Sequence, residues 1–224
     1  MTLTQDASAA DARVPATDRR ASILTVPWPG VLVVVMVGLA TGVLTQLGQG
    51  ILPDGWSQVA NAISPWLLVA FFVGAALPTV RWAAVAGIAV LLLALVGYYA
   101  MIQLRYGYGG STGSLVLWGI AALAGGPVFG AAGHWWRGPK PWLRAAALGL
   151  AGAVFVAEGV YLMLILPEPA AGIGFALVGL VLPLLLGRSW MDRRRGYLAM
   201  VPALALGAAG YVALIAVYGI TASL

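Results

Sequence analysis

The sequence predicts an all-α, polytopic transmembrane helix bundle of seven spans with a cytoplasmic N-terminus. Three observations carry this. Of 224 residues, 62% are hydrophobic and only 8% are charged, where soluble domains carry about 25% charged residues. Mean hydropathy is +0.96, so most of the surface must face lipid. Seven apolar stretches also approach the roughly 20 residues that a span needs.

Residues 1–26 are polar and rich in Ala, Asp and Arg, and Asp6, Asp11 and Asp18 interrupt any apolar core. They are expected to be a disordered cytoplasmic tail that stays attached, since a cleavable signal runs from a basic start into an apolar core. Residues 27–224 are expected to form the seven-helix transmembrane domain. The first span covers 31–48 and contains Gly38-Leu39-Ala40-Thr41-Gly42. The second, 59–78, contains Pro65, and the third covers 82–102. The fourth, 114–133, contains Gly126-Pro127-Val128-Phe129-Gly130. Spans five (145–166) and six (170–187) are separated only by the helix-breaking Pro167-Glu168-Pro169, and span seven covers 197–219. Both GxxxG motifs predict close helix packing within one bundle. Pro65 and Pro127 predict kinks.

Orientation follows from Lys and Arg in short loops. Eleven of the twelve basic residues fall on the side of the tail and its alternate loops: Arg13, Arg19, Arg20, Arg81, Arg137, Lys140, Arg144, Arg188 and Arg193 to Arg195. Arg105 alone lies on the other side. This predicts a multi-pass protein of the plasma membrane with its N-terminus inside and its C-terminus outside. Topology thus accounts for the net charge of +5, and no nucleic-acid partner is called for; the partner is the lipid bilayer.

The absence of cysteine and the single histidine exclude disulfides and thiolate chemistry and leave no metal site or cofactor expected. No P-loop, GxSxG, HExxH or DDxxD motif occurs. Among the acids, Glu158 alone lies inside a span, about 20 Å along its helix at 1.5 Å per residue. An ionisable group at that depth is costly and is a functional candidate by default. Apolar surroundings disfavour its charged form, so the sequence predicts a carboxylic acid able to donate a proton. Phe155 and Tyr161 share its helix face. Asn61, Ser64 and Trp66, Tyr98 and Tyr99, and Trp118 are expected at similar depth on other spans. Trp and Tyr also gather at membrane interfaces for reasons unconnected with function. Gly133-His134-Trp135-Trp136-Arg137 reads as an interfacial anchor, or as a contact of His134 and Arg137 with an anionic headgroup.

The runs Asn61-Ala62-Ile63-Ser64-Pro65-Trp66, Gly97-Tyr98-Tyr99, Gly126 to Arg137 and Ala157-Glu158-Gly159 resemble an actinobacterial integral-membrane family of mostly unknown function. In size, span number and intramembrane acid the chain is also similar to integral-membrane terpene cyclases of fungal meroterpenoid and bacterial indole-sesquiterpenoid pathways. That resemblance implies an acid-initiated, metal-independent cyclisation of a hydrophobic prenylated small molecule. Glu158 would be the catalytic acid, and Asn61, Trp66, Tyr98, Tyr99, Trp118, Phe155 and Tyr161 the substrate pocket. The chain departs from the fungal enzymes in offering one intramembrane acid where they use two. The alternative expectation is a small-molecule transporter, or its membrane substrate-binding subunit, with Glu158 as a proton or cation relay. A third is a scaffold with no chemistry, in which Glu158 only packs.

Overall fold

The computed structural model describes residues 28–52, 57–60, 62–166 and 168–221. The tail expected over 1–26, and with it Asn61 and Pro167, lies outside the described residues. All regular structure among them is helical. Seven helices follow one another: α1 (Trp28–Ile51), α2 (Ile63–Ala75), α3 (Val80–Tyr106), α4 (Thr112–Arg137), α5 (Pro141–Leu164), α6 (Pro169–Leu186) and α7 (Trp190–Thr221). A single turn, Ser57–Ala60, precedes α2.

Five of them, α1 and α3 to α6, are long and apolar enough to cross a bilayer. Their outward faces carry large apolar side chains, such as Leu32 and Met36 on α1, Val96 on α3, Ile120 on α4 and Leu185 on α6. Exposed apolar surface on this scale is intolerable in water and normal in lipid. The chain is a multi-pass membrane protein.

The interior is built from small residues. Ala70, Ala83, Ala132, Ala147 and Ala151 are almost completely buried, together with Phe71 and Leu148. Backbones meet where glycine removes the side chain: a Cβ on Gly42 would sit 1.9 Å from the Ala94 carbonyl, and one on Gly133 1.8 Å from that of Phe71. The second GxxxG faces inward too, with Gly126 against Gly87 and Gly130 against Ala83 and Gly74. Both motifs therefore pack within the bundle, the first seating α1 on α3 and the second seating α4 on α3 and α2. Helix ends follow local rules. Thr79 caps α3 through the Trp82 amide, and Ser111 caps α4 through that of Ser114. Gly107 ends α3 at φ 75°, a conformation that favours glycine.

The helices form two groups. In one, α3 packs along α1, α2 and α4; in the other, α5 packs along α6 and α7. The groups meet where α4 runs beside α5 and touches α7, and where α5 touches α2.

The second and seventh spans differ from expectation: α7 begins at Trp190, ahead of the expected 197–219, and neither it nor α2 is among the five helices long and apolar enough to cross. The second span was expected over 59–78, but its helix has only 13 residues, about 20 Å at 1.5 Å per residue. Pro65 is the third residue of α2. A first-turn proline starts a helix without bending it, because its missing N–H would have had no intrahelical partner.

Candidate functional site

The start of α2 is where the sequence leaves backbone groups unpaired. Four N–H groups at a helix N-terminus lack intrahelical partners; here they belong to Ala62, Ile63, Ser64 and Pro65, and proline has none. Ala62 occupies the N-cap position, and its side chain makes no capping bond. The partners come from another helix. Ile63 N donates to Glu158 Oε1 at 2.8 Å, and Ser64 N donates to Glu158 Oε2 at 2.8 Å. A carboxylate on α5 thus caps α2, about 95 residues away in the chain, where it also meets the positive end of the helix dipole.

The junction is buried. Glu158 is 4% exposed and Ser64 is inaccessible. Ser64 Oγ also contacts Glu158 Oε2 and lies 3.2 Å from the Val154 carbonyl. The hydroxyl has one hydrogen for these two acceptors. Given to Oε2, it completes the shell of a carboxylate. Given to Val154 O, it leaves Ser64 Oγ free to accept a proton carried by Glu158. The same atoms can therefore satisfy either protonation state.

The aromatic side chains divide around this junction. Trp66, one turn into α2, donates from Nε1 to Thr45 Oγ1 at 2.9 Å and meets the Tyr98 ring edge-on at 6.3 Å. Tyr98 donates to Gln49 Oε1 at 3.0 Å and stands edge-on to Tyr99. Trp66, Tyr99 and Trp118 border the larger buried cluster, which includes Leu67, Phe71 and Leu91. Phe155 turns the other way and stacks on Phe175 of α6, centroids 5.8 Å apart, in a cluster with Ala62 and Leu162. Tyr161 lies one turn beyond Glu158 and is half-buried. The expected pocket residues are thus spread over two sides of the α2 N-terminus. Gln46, beside Thr45, is buried, and its Oε1 has no hydrogen-bond partner among the described residues.

At the opposite end of the bundle, the last turn of α4 serves the orphan carbonyls of its neighbours. His134 Nδ1 lies 3.0 Å from Leu77 O, and Arg137 donates to Ala75 O at 3.3 Å, both at the end of α2. Trp136 Nε1 donates to Leu186 O at 2.9 Å at the end of α6, and its ring packs on Phe71 and Phe72. The His-Trp-Trp-Arg segment, expected as an interfacial anchor or headgroup contact, serves here as a donor rack for helix C-termini. Residues 22–217, a stretch running from ahead of α1 into the last turns of α7, match one family. The chain belongs to the family of unknown function DUF6518. Comparison with curated proteins and with solved structures returns no match.

Sequence reading of this DUF6518 chain passed over one polar pair. Asp192, which reads as a loop acid among arginines, is 4% exposed in the first turn of α7 and forms a 3.0 Å ion pair with Arg144 of α5. A lone acid beside three arginines was its only signal. Among the described residues, no cluster of His, Asp or Glu could hold a metal ion.

Proposed function

We propose that the protein is a small-molecule transporter of the membrane, or the membrane subunit of one, in which Glu158 couples protonation to the arrangement of the two helix groups. The observation that carries this reading is the Glu158 carboxyl group on the first turn of α2, at one of the places where the groups meet. Ionised, it caps α2 and ties α5 to it. Protonated, it turns its proton toward Ser64 Oγ and binds the N–H groups less strongly, because charge-assisted bonds are roughly twice as strong as neutral ones. Helix N-termini that begin within the membrane are used by transporters to meet anionic groups, and glycine contacts between helices suit small relative movements. Gln46 Oε1, buried on α1 and without a partner among the described residues, offers a substrate one polar contact. The eleven-to-one distribution of basic residues supports a plasma-membrane orientation with the His-Trp-Trp-Arg end and the tail cytoplasmic.

Everted vesicles holding a proton gradient, followed with a fluorescent weak base, test the reading against a panel of lipophilic cations and weak acids. At least one compound should release the gradient through the wild type and not through Glu158→Gln, with both proteins monodisperse on size exclusion. A panel without effect, or identical traces for the two proteins, contradicts it.

A second reading, acid-initiated cyclisation of a prenylated small molecule, is favoured by Trp66, Tyr98 and Tyr99 standing together on the α3 side of the junction, where their faces could stabilise a carbocation. Glu158 would give its proton to an olefin or epoxide, and the final cation would lose one. Membranes incubated with a farnesylated indole or its terminal epoxide should then yield cyclised product with the wild type and none with Glu158→Gln. Equal product from the two would sink this reading.

A further inference from the structure

The basic end of the bundle carries a groove outside the Glu158 junction. It encloses about 300 Å³ between the end of α6 and the start of α7, and is lined by Leu184, Trp190, Arg193, Arg194, Tyr197 and Leu198. Its walls are largely carbon, and two of the residues that supply them are arginines. Three of the lining side chains are exposed: Trp190 (74%), Leu198 (64%) and Leu184 (41%). Two hydrogen bonds fix its shape. Arg193 Nε donates to Gly187 O at 3.3 Å, and Tyr197 donates to Leu180 O at 2.5 Å.

The charge at this groove is not cancelled by its nearest acid. Asp192 precedes the two arginines but points into the bundle, where it is buried and paired with Arg144. Arg193 and Arg194 therefore keep their positive charge beside an apolar slot at the end of the helices. A soluble anion gains nothing from carbon walls, and an uncharged acyl chain gains nothing from two guanidinium groups. An anionic phospholipid offers both, a phosphate whose charge its own headgroup does not offset and an acyl chain.

We infer that this groove is a binding site for an anionic phospholipid. The phosphate lies against Arg193 and Arg194, and the first carbons of an acyl chain fill the slot between Leu184 and Leu198. Arginine suits phosphate because its planar fork donates two parallel hydrogen bonds, and basic pockets between transmembrane helices bind anionic headgroups. A volume near 300 Å³ is at the lower end of small-ligand sites, which run from roughly 300 to 1,000 Å³. It takes a phosphate and the start of one chain, with the rest of the lipid in the bilayer. Trp190, at the same level, provides the indole that membrane interfaces favour.

The test is native mass spectrometry of the full chain released from nanodiscs of phosphatidylcholine with or without phosphatidylglycerol, counting lipids that stay bound. Arg194→Gln removes a charge without touching the Arg193 bond to α6, and Leu198→Trp fills the slot without changing charge. Arg195→Gln removes a charge that does not line the groove. The wild type and Arg195→Gln should retain phosphatidylglycerol over phosphatidylcholine. Arg194→Gln should retain it about fivefold less, as about 1 kcal/mol per basic side chain implies, and Leu198→Trp should lose it. Equal weakening by Arg194→Gln and Arg195→Gln would overturn the site in favour of diffuse attraction. Retention of phosphatidylcholine as strong as that of phosphatidylglycerol, or displacement by inorganic phosphate alone, would overturn the ligand.

Discussion

At residue 158 the interior of the bundle has exchanged water for two backbone amides and a hydroxyl. The cost of burying a carboxylate is offset by donors that α2 would otherwise leave unpaired, so each partner answers the other's need. Substitution should expose that dependence. Glu158→Gln keeps the volume but turns an NH2 group toward one of the two amides, and is expected to cost about 1–3 kcal/mol, the price of one unsatisfied buried group. Ser64→Ala removes one hydroxyl and should cost about 1 kcal/mol. Unfolding midpoints in detergent measure both, and no loss in Glu158→Gln would mean the carboxylate does not hold α2. Glu158 was legible in the sequence because acids are rare at membrane depth. Its role as a cap was not, since backbone amides leave no side-chain signature and lie about 95 residues away. The clue was local: Ala62, which cannot cap, followed by Ser64 and Pro65.

The helices themselves were largely legible as elements. Length and hydropathy located all seven, and the expected break between spans five and six falls between the end of α5 at Leu164 and the start of α6 at Pro169. The start of α2 was misplaced because hydropathy does not register where an external carboxylate begins a helix. Helix pairing was beyond reach, because glycine motifs announce close approach without naming the partner. Gly119 and Gly133 on α4 separate the two uses of glycine. A Cβ at Gly133 would collide with Phe71 O, whereas one at Gly119 meets nothing within 4 Å. Gly133→Ala should therefore destabilise by at least about 1–3 kcal/mol through overpacking. Gly119→Ala should be neutral or stabilising by up to about 1 kcal/mol. Thermal midpoints of the two variants in one detergent check the contrast, which fails if they match.

At the scale of the whole molecule, composition and loop charge establish the environment and the pairing of helices divides the bundle in two. The orientation predicts that cysteines introduced singly at Thr112 and Lys140, into a chain with none of its own, are labelled by impermeant reagents from opposite sides. Same-side labelling would remove α4 as a crossing. The coupling proposed above belongs at the division into two groups, because Glu158 spans it. Spin labels at Thr112→Cys on the α1–α4 group and Ala170→Cys on the α5–α7 group report the separation at one face by pulsed dipolar spectroscopy. The distance distribution of the Glu158 protein is predicted to shift between mildly alkaline and mildly acidic buffer, and that of Glu158→Gln to stay fixed. Distributions that ignore pH in both proteins, or shift equally in both, would contradict the coupling assigned to Glu158.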